Sequence, residues 1–358
     1  MMEEQKQPPG QFDLLKESSM PTVIAIEAKP LEFEDIDSGL FHLYLVKTET
    51  DARGRILSEK VIRGSLEGID DLGTLAGADL ASSPDRRGSD TPEDRHRTLL
   101  DLGSRSATDV WKVMVQHAAN IDKAGLHYSF DIFREFSGGD LNSNSVIASV
   151  IHTAGLDWRT SLPVGVSRSE APLYGQLQYM NVNDTLSGTA NIDRMRGGVG
   201  NDEIKAGQAN DTIFGEDGND RLWGSSGNDS LSGGDNDDRL YGGWGADILR
   251  GGSGKDAFVF YARPNGTTNI DTIRDFSVAS DTVWLENTIF TSVGSTGRLK
   301  SAAFWTGDAA HDVTDRIVYD RDDGVLYYDS DGTGATEQVA FAKLTIGLRM
   351  TSADFQIV

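Results

Sequence analysis

A nine-residue periodicity constrains this chain of 358 residues more than any other feature. Aspartate recurs at every ninth position without a gap, at Asp184, Asp193, Asp202, Asp211, Asp220, Asp229, Asp238, Asp247 and Asp256. Two residues after each aspartate there is an apolar residue, from Leu186 in the first unit to Phe258 in the last. Because the register holds through the whole series, it indicates a repeated structural unit. A flexible Gly/Asp-rich linker, the alternative, has no physical reason to keep such a register.

Glycine marks most units five and two residues before the aspartate, as in Gly197-Gly198-Val199-Gly200-Asn201-Asp202. Glycine permits the positive φ of a tight turn, and the apolar middle residue of a short strand points inward. This pattern is typical of parallel β-helices, in which two units complete one coil of eighteen residues. The aspartates therefore separate onto two edges, with Asp202, Asp220, Asp238 and Asp256 on one and Asp211, Asp229 and Asp247 on the other.

The two aspartate edges predict binding of several Ca²⁺ ions. Strands about 4.8 Å apart would bring like-charged carboxylates into repulsion, in a chain that already has 56 acidic and 33 basic residues and a net charge of −23. Ca²⁺ takes 6–8 oxygen ligands in flexible geometry, whereas Mg²⁺ demands a strict octahedron, and no soft ligands are present. Each unit of nine residues contributes a single inward apolar residue, so the apolar core of this region is small. We therefore expect residues 183–260 to fold only with calcium, because binding and folding share one free energy.

In these residues the chain resembles the RTX (repeats-in-toxin, hemolysin-type calcium-binding) family of secreted bacterial proteins. The resemblance implies a calcium-loaded parallel β-roll in which the aspartates Asp202 to Asp256 are ligands. It also implies carbonyl ligands from the glycine positions, namely Gly197, Gly200, Gly215, Gly218, Gly224, Gly227, Gly233, Gly242 and Gly245. Ala206, Ala209 and Asn236 depart from the glycine pattern and affect one or two individual sites.

Residues 261–358 alternate apolar and polar residues between turn clusters, which predicts a β-rich cap of antiparallel hairpins. The segment from Asn269 to Phe276 and the later Gly324-Val325-Leu326-Tyr327-Tyr328 resemble the C-terminal domain of serralysin-type RTX proteins. That resemblance implies that the ending Asp354-Phe355-Gln356-Ile357-Val358 belongs to a type I secretion signal. We therefore expect a secreted, extracellular protein that meets the type I secretion apparatus transiently.

Several classes of function are disfavoured by composition. The acidity argues against nucleic acid and anionic membranes as partners, because both are bound by clustered Lys and Arg. The lack of Cys excludes disulfides, thiolate metal sites and a cysteine nucleophile. The first twenty residues have no apolar segment typical of a Sec signal peptide, and no apolar run is long enough to span a membrane. There is also no H-E-x-x-H zinc protease motif and no G-x-S-x-G elbow.

Residues 20–182 are expected to form an α+β cargo domain after a disordered N-terminus at 1–19. Strands are predicted at Thr22–Glu27, Phe41–Thr48 and Arg55–Arg63, with a hairpin between the last two. Residues 64–106, rich in Gly, Ser, Asp and Pro, predict a long and partly mobile excursion. Helices are predicted near Ala107–Lys123 and from Asn142-Ser143-Asn144-Ser145 to Gly155. The expected fold is therefore an α+β domain, then an all-β parallel β-roll, then a β-rich cap.

The order of a histidine on a strand (His42), a hairpin and a serine at a helix N-terminus (Ser143) resembles the permuted NlpC-type, papain-like hydrolases. The resemblance implies that Ser143 stands where their cysteine nucleophile stands and that His42 takes its proton. The positive end of a helix suits such a nucleophile. Two simpler readings remain: Asn-Ser-Asn-Ser as an N-cap, and His42 as a surface residue. The cargo is thus either an amidase- or acyl-transfer-type hydrolase or a non-catalytic binding module.

Overall fold

The structure is a computed structural model that describes residues 22–33, 36–67, 71–79, 96–124, 126, 143–163, 166, 177 and 180–358. Within these ranges only the backbone is described for 29–33, 36–42, 64–67, 71–79, 96 and 143. The predicted disorder at 1–19 lies outside the described residues. In the described part, neither α-helix has the length and apolar character that crossing a bilayer requires.

The N-terminal part is built on a five-stranded antiparallel sheet with the order β4-β3-β2-β1-β5. Its strands are β1 Thr22–Phe33, β2 Ile36–Thr50, β3 Ile56–Glu67, β4 Asp71–Asp79 and β5 His96–Leu99. The three predicted strands are confirmed and are longer than predicted. The predicted hairpin is confirmed as well: Oδ1 of Asp51 accepts from the amides of Arg53 and Arg55, and Gly54 takes the positive φ of +76°.

The excursion predicted at 64–106 is wrong in part, because β3 continues to Glu67 and this segment also contains β4 and β5. β4 pairs along β3, and β5 pairs with β1 at Ala25–Ala28. The many Gly, Ser and Asp residues favour turns locally. Pairing with the two open edges of the three-stranded sheet β3-β2-β1 outweighs that local preference, since it satisfies backbone groups that would otherwise be left without partners.

Two α-helices pack on this sheet and confirm the predicted helices: α1 Ala107–Ala124 and α2 Ser143–Thr153. α1 begins where the hydroxyl of Ser106 accepts from the amides of Thr108 and Asp109. α2 ends in a Schellman motif at Gly155, whose φ is +65°, with hydrogen bonds of 2.7 Å from Gly155 N to His152 O and 3.1 Å from Leu156 N to Ile151 O. The apolar faces of both helices and the sheet share one buried cluster.

Residues 185–260 form two facing parallel sheets, as the repeat predicts. One sheet contains β6 Thr185–Ser187, β8 Glu203–Gly207, β10 Arg221–Ser226, β12 Arg239–Trp244 and β14 Ala257–Phe260. The other contains β7 Arg194–Val199, β9 Thr212–Asp217, β11 Ser230–Asp235 and β13 Ile248–Ser253. Strands pair eighteen residues apart, as in Leu222 with Leu240. The one inward apolar residue of each unit is at most 1% exposed, which makes a narrow, dry core.

The C-terminal residues extend both sheets. Their strands are β15 Asp271–Ile273, β16 Thr282–Leu285, β17 Gly297–Arg298, β18 Phe304–Thr306, β19 Ile317–Asp320, β20 Val325–Tyr328, β21 Val339–Lys343 and β22 Phe355–Ile357. Short 3₁₀ helices lie at Trp158–Thr160, Ser301–Ala303 and Ser352–Asp354.

The cap of antiparallel hairpins predicted for this part is correct only for β19, β20 and β21. β15, β16, β21 and β22 instead continue the two parallel sheets, so the sheets run on without a break past residue 260. The last strand is part of the core, with Phe355 and Ile357 each 1% exposed. The turn clusters in the sequence indicated where these strands lie but not which strands they pair with. Pairing with a preceding coil depends on contacts between residues distant in the sequence.

Candidate metal sites on two aspartate rows

The coiling of the repeat brings its aspartates into two stacked rows at the ends of the strands. Row A is Asp184, Asp202, Asp220, Asp238 and Asp256, and row B is Asp193, Asp211, Asp229 and Asp247. All nine side chains are buried, at most 3% exposed. The repeat predicts these two sets for the seven aspartates from Asp202 onward, and the structure brings each set together.

From Asp202 onward, one carboxylate oxygen of each aspartate holds two coils together. Oδ1 of Asp220 accepts from the backbone N–H of Asp202, one coil earlier, at 2.8 Å. The same hydrogen bond, at 2.7–3.0 Å, joins each aspartate to the next one in its row. In row A the series runs from Asp184 as the first donor to Asp256 as the last acceptor, and in row B from Asp193 to Asp247. Each aspartate from Asp202 onward therefore serves as both donor and acceptor in a ladder that runs along the edge of the roll, and Asp184 and Asp193 donate to it.

The other oxygen, Oδ2, is buried and receives no hydrogen bond from any described residue. This holds for seven aspartates: Asp202, Asp211, Asp220, Asp229, Asp238, Asp247 and Asp256. These are the seven predicted carboxylate ligands. A buried carboxylate oxygen without a partner is costly, and the coordination of a cation would offset that cost.

Glycine allows the backbone to approach six of these seven oxygens closely, and Ala206 stands at the corresponding position for Asp211. A Cβ at Gly197 would overlap Oδ2 of Asp202, and the corresponding overlap occurs at Gly215, Gly224, Gly233, Gly242 and Gly251. Two residues before the aspartate, Gly200, Gly218, Gly227 and Gly245 have positive φ, and a Cβ there would overlap a carbonyl oxygen of the preceding coil. The predicted glycine positions are thus where backbone oxygens and carboxylates crowd together. This all-oxygen donor set fits Ca²⁺.

Burial raises the pKa of these carboxyls. The pKa is about 8 for Asp202 and Asp238 and about 7 for Asp211. It is about 6 for Asp220, Asp229, Asp247 and Asp256. Loss of hydration is the largest cause at every position, and repulsion from neighbours in the row adds to it, as from Asp220 and Asp256 at Asp238. Without metal, the carboxyl groups of the two rows therefore resist full ionisation. A bound divalent cation would offset the repulsion between the carboxylates and favour their ionised form.

The repeat sequence matches a known family model. The family model described as RTX calcium-binding nonapeptide repeat (4 copies) matches residues 187–222, 196–231 and 223–257. The chain carries RTX calcium-binding repeats. Such repeats bind Ca²⁺ and are typical of secreted bacterial proteins. No curated protein sequence matches the chain. Among solved structures, a subunit of the mannuronan C5-epimerase from Azotobacter vinelandii matches at 21% identity over 49% of this chain and 79% of that chain, with a TM-score of 0.19.

The structure adds members to both rows that periodicity missed. Oδ1 of Asp271 accepts from Asp247 N at 3.1 Å, and Oδ1 of Asp281 accepts from Asp256 N at 3.3 Å. These residues lie 24 and 25 positions further along the chain, so the nine-residue register no longer identifies them. Burial, and then repulsion by Asp247, raise the pKa of Asp271. The RTX rows thus continue past the repeats into β15 and the turn before β16.

A second ladder, also missed, runs beside the aspartates on the outside of the roll. Oδ1 of Asn201 accepts from Asn219 N at 2.7 Å, and Oδ1 of Asn210 accepts from Asn228 N at 2.7 Å. The signal was present in the sequence, because Asn precedes the aspartate in several units. These asparagine side chains accept hydrogen bonds from the backbone N–H groups of the turns. The aspartate Oδ2 atoms are therefore not needed for that purpose.

Acidification is expected to favour the metal-free RTX roll. Each of the seven aspartates from Asp202 to Asp256 has a higher pKa in the folded chain than the ordinary value of about 3.9, so it binds its proton more tightly when folded. The free energy of unfolding without calcium should therefore rise as pH falls from about 8 to about 5, and fall again as pH increases through the folded pKa values.

Far-UV circular dichroism of chelator-treated protein measures this pH dependence. The calcium-loaded protein should show the opposite trend, because protons compete with the metal. A chelated chain that gains no structure in acid would contradict the prediction.

The two predicted catalytic positions lie on neighbouring segments. His42 is in β2, and Ser143 is the first residue of α2. The side chain of Asn144 accepts from the backbone N–H of the adjacent Leu43 at 2.9 Å, so the start of α2 contacts β2 next to His42. The side chains of Ser143 and His42 themselves lie outside the described residues. His152, further along α2, pairs with Glu216 of the roll at 2.7 Å.

Proposed function

We propose that this protein is a calcium-dependent, secreted RTX protein whose roll folds when the chain meets extracellular calcium. The observation that carries the proposal is the set of seven buried Oδ2 atoms without a hydrogen-bond donor in the described residues. Six of them lie beside a glycine at which a Cβ would overlap the oxygen, and Asp211 has Ala206 at that position. The aspartates Asp202 to Asp256 and carbonyls at the glycine positions would hold the ions. Chelation of calcium tests the proposal, with loss of the roll as the expected result.

Export through a type I secretion apparatus is part of the same proposal. A chain that is unfolded at low cytosolic calcium is suited to threading through a transporter, and folding outside would make export directional. RTX repeats are typical of secreted bacterial proteins. The lack of cysteine is compatible with folding that depends on metal rather than on disulfide formation.

For the N-terminal domain we propose an amidase- or acyl-transfer-type hydrolase in which Ser143 is the nucleophile and His42 the base. The supporting observation is the hydrogen bond from Leu43 N to Asn144 Oδ1, which holds the N-terminus of α2 against the strand that carries His42. A helix N-terminus favours developing negative charge on a nucleophile and on a bound carbonyl oxygen. The alternative function is a non-catalytic binding module that is exported on the same calcium-binding scaffold.

A fluorophosphonate probe separates these two functions. We expect it to label the calcium-loaded protein, and we expect the labelling to be lost in both Ser143→Ala and His42→Ala. Ser145→Ala is the matched control, because Ser145 lies in the same first turn of α2 and is fully buried. Labelling should survive in that control. Folded protein that never reacts, or reaction that persists in Ser143→Ala, would favour the binding module.

A further inference from the structure

The first aspartate of row A differs from those that follow it. Both carboxylate oxygens of Asp184 receive hydrogen bonds from side chains of α1: Oδ2 from His117 Nδ1 at 2.7 Å and Oδ1 from Asn120 Nδ2 at 2.8 Å. All three residues are buried. In the next four members of the row, Oδ1 binds a backbone amide and Oδ2 has no donor among the described residues. Protein donors therefore occupy the position where later aspartates offer an oxygen to a cation.

The same face of α1 closes the open edge of the roll. β6 is the terminal strand of its sheet, and Gln116 binds both backbone groups of Ser187 on that strand, at 2.8 Å to the N–H and 3.0 Å to the carbonyl. Lys112 Nζ donates to the carbonyl of Gly188 at 2.7 Å. Uncovered strand edges invite pairing with other chains, and side-chain amides that mimic a neighbouring strand prevent it.

Apolar contact accompanies these polar contacts. Val113 belongs to the apolar cluster that fills the roll. Its neighbours Val110, Trp111 and Met114 belong to the cluster of the N-terminal domain. A single helix thus seals the end of the roll on one side and completes the core of the cargo domain on the other. We call the roll-facing residues of α1, namely Lys112, Val113, Gln116, His117 and Asn120, the helical cap.

Ser149 of α2 extends this network, since its hydroxyl lies 2.5 Å from Nε2 of His117. The Asp184–His117–Ser149 distances would suit a hydrolytic triad. Ser149, however, lies in the interior of an eleven-residue helix and is buried. There the backbone amides are engaged in the helix and cannot stabilise an oxyanion. Its position suits a contact that holds α2 against α1 and the roll.

We propose that the helical cap takes the place of a calcium ion at the first turn of row A, and that α1 and α2 become ordered only on a roll that calcium has already formed. The carboxylate of Asp184 meets His117 and Asn120 directly before β6, the strand that pairs with β8 of the roll. The helical cap is thus the surface on which the cargo domain docks on the roll. Through it, calcium binding in the repeats controls the folding of the cargo domain. This inference rests on the calcium-dependent folding proposed above.

Hydrogen exchange with mass spectrometry on the full chain, over a calcium titration, tests the inference. In the wild type, α1 and α2 should gain protection at the same calcium concentration as β8 to β12. Helices that are protected in chelator while the roll exchanges freely would overturn the inference but leave calcium-driven folding intact. A roll that is already protected in chelator would overturn calcium-driven folding itself.

Variants of the cap give the second measurement. His117→Leu and Asn120→Leu remove the donors to Asp184, and in calcium we expect about tenfold or greater loss of protection in α1 and β6, with β10 to β13 unchanged. Lys123→Leu is the matched control, because Lys123 is exposed on the same helix and lies outside the helical cap, and α1 should remain protected. Unchanged protection in His117→Leu and Asn120→Leu would overturn the proposal. So would fluorophosphonate labelling at Ser149, since that would make the network catalytic.

Discussion

Removing calcium from the purified protein is expected to unfold residues 185–260 while leaving the chain soluble. Without the metal, seven buried Oδ2 atoms have no counter-charge and no donor among the described residues. Residues 183–260 contain 12 Asp, 2 Glu and 7 basic residues, so their net charge of −7 opposes compaction. The apolar core cannot compensate, because each unit contributes a single inward side chain. Binding of calcium therefore supplies the free energy that folds the roll.

Far-UV circular dichroism and the hydrodynamic radius measure this outcome. Chelation should abolish most of the β-signal and expand the chain, and readdition of calcium should reverse both changes. Magnesium at the same concentration is the control, and it should restore little, because its strict octahedral geometry and reluctance to lose water do not suit a cage of carboxylates and carbonyls. A spectrum and radius that do not change with calcium would refute metal-driven folding.

The second large effect is expected from Asp220→Asn combined with Asp238→Asn. These neighbours in row A are linked by the hydrogen bond from Asp220 N to Asp238 Oδ1 at 2.8 Å. Asparagine keeps the Oδ1 acceptor of that ladder but removes the negative charge and replaces Oδ2 by an amide. The calcium concentration at the folding midpoint should rise by about tenfold or more, which corresponds to about 1.4 kcal/mol for each factor of ten.

The matched control is Asp217→Asn combined with Asp235→Asn. These two residues are exposed, lie opposite each other on β9 and β11, and give the same change in net charge. Their replacement should leave the calcium midpoint nearly unchanged, or lower it slightly through reduced repulsion. Calcium titration followed by circular dichroism compares the two pairs. Equal shifts in both would mean that calcium responds to overall charge and not to the buried rows.

Much of the RTX roll could be predicted from the sequence because its contacts are periodic. Strands pair eighteen residues apart, so the nine-residue register alone tells which aspartates stack and which glycines lie beside them. The predicted set from Asp202 to Asp256 coincides with the buried Oδ2 atoms. The departures Ala209 and Asn236 adopt the positive φ of the glycines they replace, at +75° and +79°, so the coil tolerates them.

Outside the periodic repeats, the sequence did not predict which segments contact each other. β4 and β5 lie in a segment whose composition favours turns, and they form because the outer strands β3 and β1 each offer an edge to pair with. Asp271 and Asp281 continue the rows after insertions of irregular length. The Asn144 contact to Leu43 joins residues 101 positions apart, although the sequence had indicated the helix and the strand separately.

The sequence by itself determined the repeated unit, its inward residues and its cation-binding edges, since a local pattern that recurs at fixed spacing must stack on itself. Only the tertiary structure decided what closes the two ends of the roll. At one end His117 and Asn120 of α1 bind Asp184. At the other end of the same sheet, β22 joins β16 in parallel and β17 pairs with β22 as the last strand. Neither end repeats, and each depends on contacts between segments far apart in the chain. Their register is set by the packing of whole elements rather than by local spacing.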